Sequence, residues 1–176
     1  NKWTDSVKKA FKAAMEIAKD AKSVEIWPAH VAAAMFVESD SEALGNVVAS
    51  KANSDLATIR RELTRLVIRA PTQDPAPTNA SPSRPTYELM RKAEEAATAN
   101  GDTLLASDIL LKTLVDNRDI EQALAKGTLP RKLLTETLDK MRGTRKVHSE
   151  DAESTFDALA KYARNLTADA RNGDLD

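Results

Sequence analysis

The chain has 176 residues, 41% apolar and 30% charged, with a formal net charge of −1 and no cysteine; that balance suits a globular protein with a buried core and excludes a disulfide scaffold. Charge runs about +2 over residues 1–70, −1 over 71–143 and −2 over 144–176, so no basic block exists to displace counterions from nucleic-acid phosphates. No apolar run reaches the ~18 residues that span a bilayer and no apolar stretch follows a basic start, which points to a soluble protein with neither membrane nor nucleic acid as partner. Aromatic residues are only 4% and alanine is abundant, so the expected class is all-α. The chain opens on Asn1 rather than Met, as an expressed piece of a longer protein would, and a cytoplasmic or mitochondrial-matrix setting fits the absence of cysteine.

In chain order, helical periodicity predicts helices over about 5–21, 28–38, 41–50 and 54–69, then 84–99, 107–116, 119–126 and 130–142. Thr4 and Ser54 are the expected N-caps with Asp at N1, Pro28 and Pro130 the expected first helical residues, and Gly143 the expected stop. Between the two sets, residues 71–85 hold five of the seven prolines, a composition that blocks helix and makes a linker, placed at about 71–83.

The two sets are copies. A shift of 79 lays Val7, Ala10, Phe11, Ala14 and Ala18 over Thr86, Leu89, Met90, Ala93 and Ala97, one helix face in each. The same shift lays Ile26 on Leu105, Pro28 on Ser107, His30 on Ile109 and Met35 on Leu114; a shift of 77 then matches Val47 to Leu124 and Leu56 to Leu133. The expected architecture is two tandem four-helix repeats, about 4–70 and 84–143, packed about a pseudo-twofold axis into one unit over 1–143.

His30, in the stretch I-W-P-A-H, invites a reading as metal ligand or base. The other histidine, His148, lies far off in the tail, and the second repeat carries Ile109 at the matching position, so the expected role is structural, within the first turn of a helix opened by Pro28. With zero cysteine and two separated histidines there is no Ser/His/Asp or Cys/His set, and no G-x-x-x-x-G-K-[ST] to cradle phosphate. The chain itself is expected to be neither an enzyme nor a cofactor binder.

The doubled pattern F-x-x-A-x-x-x-A, then I-x-P-x-H with a short apolar helix, repeated as G-D-T-L-L-A-S-D-I-L-L, resembles the double Clp N-terminal repeat of the Clp/heat-shock AAA+ unfoldases. The tail, M-R-G-T-R-K-V at Met141–Val147 followed by K-Y-A-R-N-L-T-A-D-A-R-N-G-D-L-D, is similar to the junction that leads into the first ATPase module of ClpB-type disaggregases. The resemblance implies an N-terminal module that engages unfolded or aggregated polypeptides, is itself monomeric, and is attached to a hexameric ring with ATP and Mg and a link to an Hsp70-type system. A folded adaptor as the partner, as in ClpA- and ClpC-type relatives, is the alternative.

Carried over by position, the family's polar chaperone-linked residues fall on Thr4, Asp102 and Asp108. Each also has a structural reading, as N-cap, turn residue after Gly101 and acid in a first helical turn. The family's hydrophobic substrate groove, between the second repeat's first two helices, would involve Ala96, Ile109, Leu105 and Leu110, with the charged Lys92 where an apolar residue is common. Beyond residue 143, the polar stretch 144–149 is expected to be a hinge, and 149–171 a helix with the stripe Phe156, Leu159, Tyr162, Ala163 and Leu166, the start of the ATPase module over 144–176.

Overall fold

The structure, a computed structural model, describes residues 2–152; beyond Ala152 the helix expected over 149–171, with its apolar stripe, lies outside the described residues. Eight helices appear in them, α1 (Asp5–Asp20), α2 (Pro28–Met35), α3 (Leu44–Lys51), α4 (Leu56–Arg69), α5 (Arg84–Ala99), α6 (Ser107–Leu114), α7 (Arg118–Lys126) and α8 (Arg131–Arg142). Every one falls where periodicity placed it, with ends moved by three residues at most.

The ends show what local chemistry decides. Thr4 caps α1, its hydroxyl accepting from the Val7 N–H at 3.3 Å. At α4 the cap is Asp55, not Ser54: the carboxylate accepts from the Thr58 N–H at 3.1 Å, and Ser54 instead donates to the Thr128 carbonyl. Likewise Pro130 sits at the N-cap of α8 rather than its first turn. Gly143 ends α8 with φ of 64°, a conformation that costs a side-chain-bearing residue energy.

The duplication is visible in hydrogen bonds as well as in helix order. Two short strands that periodicity did not signal, β1 (Glu25–Ile26) and β2 (Ser81–Pro82), pair in parallel, with Ile26 opposite Pro82. The shift of 79 turns that pair into Leu105 opposite Trp3, and a parallel bridge joins those residues. The capping residues follow: the Ser83 N–H donates to the Ile26 carbonyl at 2.9 Å and the Thr4 N–H to the Leu105 carbonyl at 3.0 Å. Each repeat's entry segment is thus stitched to the other repeat's α1–α2 or α5–α6 connection.

The same exchange governs the helices. α4 of the first repeat packs on α7 of the second, and α8 of the second packs on α3 of the first. The two bundles expected from sequence are therefore interlocked rather than merely adjacent, and one apolar core runs through both, from Val7, Phe36 and Ile59 to Leu110, Leu124 and Leu138. The proline-rich linker is held as well: the Val24 N–H donates to the Pro71 carbonyl and the Gln73 N–H to the Lys22 carbonyl.

Gly127, at the end of α7, permits the closest approach across the α4–α7 contact. A Cβ there would stand 2.3 Å from Ile59 Cγ1 and 2.8 Å from the Asp55 carbonyl oxygen. Gly127→Ala should therefore cost about 1–3 kcal/mol, the usual cost of overpacking, although φ itself is tolerable. Urea unfolding that shows a loss under about 0.5 kcal/mol, the scale of a surface change, would mean that the two helices yield without strain.

Candidate functional site

Two of the three polar residues carried over from the family meet in space, around a cation that the resemblance had marked only as part of a motif. Arg142, at the end of α8, donates through Nε and Nη2 to both carboxylate oxygens of Asp108, at 2.9 and 2.8 Å, and through Nη1 to Asp102 at 2.7 Å. The side chains of Asp102, Asp108 and Arg142 are 0%, 4% and 7% exposed, so this is a buried ion triad rather than a client-facing patch. Burial alone would raise the Asp102 carboxyl. Hydrogen bonds from Arg142, the Val147 N–H and Asn100, with the Arg142 charge, outweigh it and hold Asp102 below its ordinary range.

The triad gives M-R-G-x-x-x-V a physical meaning. Met141 is in the core, Arg142 is the cation, Gly143 takes the left-handed turn, and Val147 is wholly buried against Leu104 and Ala106. The backbone N–H of Val147 reaches Asp102 at 3.0 Å, the Thr103 N–H reaches the Val147 carbonyl at 2.8 Å, and Thr103 Oγ1 bonds His148 Nδ1 at 2.8 Å. The stretch 144–149, expected as a free polar hinge, is pinned to the second repeat at its midpoint because one apolar side chain and one carboxylate hold it there.

Thr4 is also fully buried, its N–H bonded to the Leu105 carbonyl and its hydroxyl capping α1. The expected groove residues are core as well: Leu105, Ile109 and Leu110 are 1%, 6% and 0% exposed, and Ala96 is half-buried against the same cluster. α5 and α6 pack directly on each other at these positions, and Leu105 borders a cleft of about 470 Å³ together with Lys2, Arg91, Glu94 and Glu95. On the outer side, Lys92 Nζ reaches across to Asp116 at 2.9 Å, and Asp116 also takes Arg131 at 3.0 Å. Burial pushes Asp116 up, but hydrogen bonds and charge from Lys92 and Arg131 leave it lowered overall.

A larger cleft lies on the first repeat, between α1 and the α2–α3 connection, with a volume of about 820 Å³. Ala10, Ala13, Ile17, Met35, Val37 and Leu44 line it, with Asp5, Glu16, Asp20, Asp40, Glu42 and Lys9 among its polar residues. Its far wall is braced: Asn46 Nδ2 donates to the carbonyls of Val37 and Asp40, both at 2.8 Å, and Arg60 ties Asn46 to the Phe36 carbonyl. Sequence reasoning missed this cleft. The available signal was the aligned pair of helices, where Ala10 and Ala13 stand opposite Leu89 and Lys92.

His30 takes no part in either feature. It is 0% exposed, its Nδ1 accepts from the Trp27 N–H at 2.8 Å and its Nε2 lies 3.0 Å from Ser23 Oγ. That geometry requires the neutral ring protonated on Nε2, and burial lowers its pKa from the ordinary 6.5. An unfolded chain gains a proton there before the folded one does, so stability is complete above pH 6.5 and is lost as pH falls through that value towards the folded pKa. Melting temperature should drop between pH 7 and pH 5, with the slope reduced in His30→Gln; an unchanged slope would mean that another group carries it. Among the described residues no three His, Cys, Asp or Glu side chains are grouped to hold a metal, and no helix is long and apolar enough to cross a membrane.

Comparison with known proteins agrees with the doubled fold. Heat shock protein 104 of Schizosaccharomyces pombe is 31% identical over 176 residues, covering 99% of this chain and 19% of that protein. Chaperone protein ClpB of Mycobacterium tuberculosis is 31% identical over 174 residues, covering 98% and 20%. The chain thus spans about a fifth of the length of these relatives. The crystal structure of the Hsp104 N-terminal domain from Candida albicans superposes with a TM-score of 0.76 at 22% identity, covering 87% of this chain and 99% of that one. The N-terminal domain of the ClpV1 ATPase from E. coli shares the fold more distantly, with a TM-score of 0.62 at 18% identity over 77% and 82% of the two chains. The family model for the Clp repeat (R) N-terminal domain matches residues 2–127, and the chain belongs to that family.

Proposed function

We propose that this chain is the polypeptide-engaging N-terminal module of an ATP-driven disaggregase, which captures unfolded or aggregated clients and delivers them to a hexameric AAA+ ring. The observation that carries the reading is the coverage: the whole chain corresponds to a fifth of the Hsp104 and ClpB chaperones. A braced cleft with an apolar lining supports it physically, because such a surface can hold short extended or helical segments weakly and without sequence readout. ATP, Mg and any Hsp70-type co-chaperone then belong to the full-length protein.

The second reading, docking of a folded adaptor, draws on the fold shared with the ClpV1 N-terminal domain. Titration separates the two. Labelled, permanently unfolded α-lactalbumin should bind this chain, and native α-lactalbumin should not. A chain that ignores unfolded proteins yet binds one folded partner stoichiometrically belongs to the adaptor class.

A further inference from the structure

We propose that the client site of this chain is the first-repeat cleft between α1 and the α2–α3 connection, and that it selects segments combining apolar anchors with Lys or Arg. The proposal rests on the polypeptide-binding reading above and sharpens it to one surface and one ligand chemistry.

The comparison of the two repeats carries the argument. Ala13 and Val37 in the first repeat occupy the positions of Lys92 and Asp116 in the second, under the same shift of 79 that relates their backbones. In the second repeat those two positions are joined by an ion pair at 2.9 Å that spans the surface between α5 and the α6–α7 turn. In the first they are small or apolar and only half-buried, and they line the open cleft. The equivalent groove is bridged in one repeat and open in the other.

Charge names the partner. Five carboxylates line the cleft against a single ammonium, Lys9, which lies 3.0 Å from Asp40. A net negative rim around an apolar floor attracts a cationic, apolar segment and repels an acidic one. The chain's own residues 153–176 fit poorly as the occupant, since they hold three basic against five acidic residues.

The test uses the 176-residue chain and two fluorescent peptides, one alternating Leu with Arg and its twin with Glu in place of Arg. The basic peptide should bind about tenfold tighter than its twin, a difference of ~1.4 kcal/mol, and salt should weaken it. Ala13→Lys with Val37→Asp, which transplants the bridge, should abolish that binding, whereas Lys92→Ala should leave it unchanged. Glu16→Lys with Asp20→Lys, both exposed positions on α1 that cannot disturb the core, should abolish the preference, because the rim then carries three carboxylates against three ammonium groups. Binding that survives the transplanted bridge, or that is lost in Lys92→Ala, overturns the proposal. So does concentration-dependent dimerisation that the transplanted bridge removes, which would make a second copy the occupant. So does basic-peptide binding seen only after residues 153–176 are cut off, which would make that tail the occupant. If unfolded α-lactalbumin binds but neither peptide does, the cleft assignment fails alone; if unfolded α-lactalbumin does not bind either, the polypeptide-binding reading fails with it.

Discussion

Replacing Arg142 with Met should cost the domain about 3–5 kcal/mol, the scale for removing one partner of a buried ion pair. The substitution keeps much of the side-chain volume, so the loss comes from charge rather than from a cavity. Three hydrogen bonds to Asp102 and Asp108 disappear, along with the one Arg142 donates to the Arg145 carbonyl at 3.3 Å. Two carboxylates would remain inside the protein with little left to hold them. Asp102 retains the Val147 N–H and the Asn100 amide, and Asp108 loses a bidentate partner.

The pH dependence should change with it. In the wild type the folded Asp102 is held below its ordinary 3.8, so its contribution is complete above pH 3.8 and is lost as pH falls below that value towards the folded pKa. Without the guanidinium, the burial penalty on Asp102 is opposed only by the Val147 N–H and the Asn100 amide, so its pKa moves upward from the wild-type position. The stability gap between the wild type and Arg142→Met should then narrow as pH falls into the carboxylate range, the His30 contribution being common to both, and adding Asp108→Asn should restore part of the loss at pH 7. Amide exchange at Thr103, Leu104 and Val147, whose backbone groups bond one another, should accelerate before the domain unfolds globally. Urea unfolding that shows a loss under 1 kcal/mol, with those amides still protected, would mean that Val147 and the α8 packing hold the segment unaided.

The contrast between what periodicity reveals and what it hides follows from sequence separation. Helices are local: Val7, Ala14 and Ala18 recur on one face of α1 and are all buried, so the spacing of apolar residues suffices to place them. The duplication was equally legible because each half displays the same spacing. Caps were less so, since Ser54 and Asp55 are adjacent and both able to cap. Only the Thr128 carbonyl, 74 residues away, diverts the serine. The triad joins residues 34 and 40 positions apart, a distance no local pattern encodes.

The carried-over residues Asp102 and Asp108 thus mark a site whose structural meaning is an internal brace. The groove positions are ambiguous for a related reason. Leu105, Ile109 and Leu110 are apolar at helical spacing, which is what a core-facing stripe and a binding groove have in common. Whether such a stripe is covered depends on the neighbouring layer, here α5, α1 and the entry segment of the first repeat. The first-repeat cleft was written in the alignment as Ala13 against Lys92, but volume and charge at a surface acquire meaning only once both walls are in place.

Neither repeat should fold without the other. An ordinary tandem of bundles would leave each half with its own core and a cooperative transition of its own. Here α4 packs on α7, α8 on α3, and each entry segment hydrogen-bonds across to the partner repeat. Expressed separately, the halves ending at Thr78 and beginning at Asn79 should each lack a cooperative melt, because each loses the surface that covers its third and fourth helices. Mixed, they should recover the helical circular dichroism of the intact chain. Both residues at the cut are exposed, so cleavage there after folding should leave the fold in place. Melting of the nicked protein should then become concentration-dependent, since unfolding now releases two chains. A half that melts cooperatively alone, at a temperature independent of its partner, would show that the cross-contacts decorate two autonomous bundles instead of building one core.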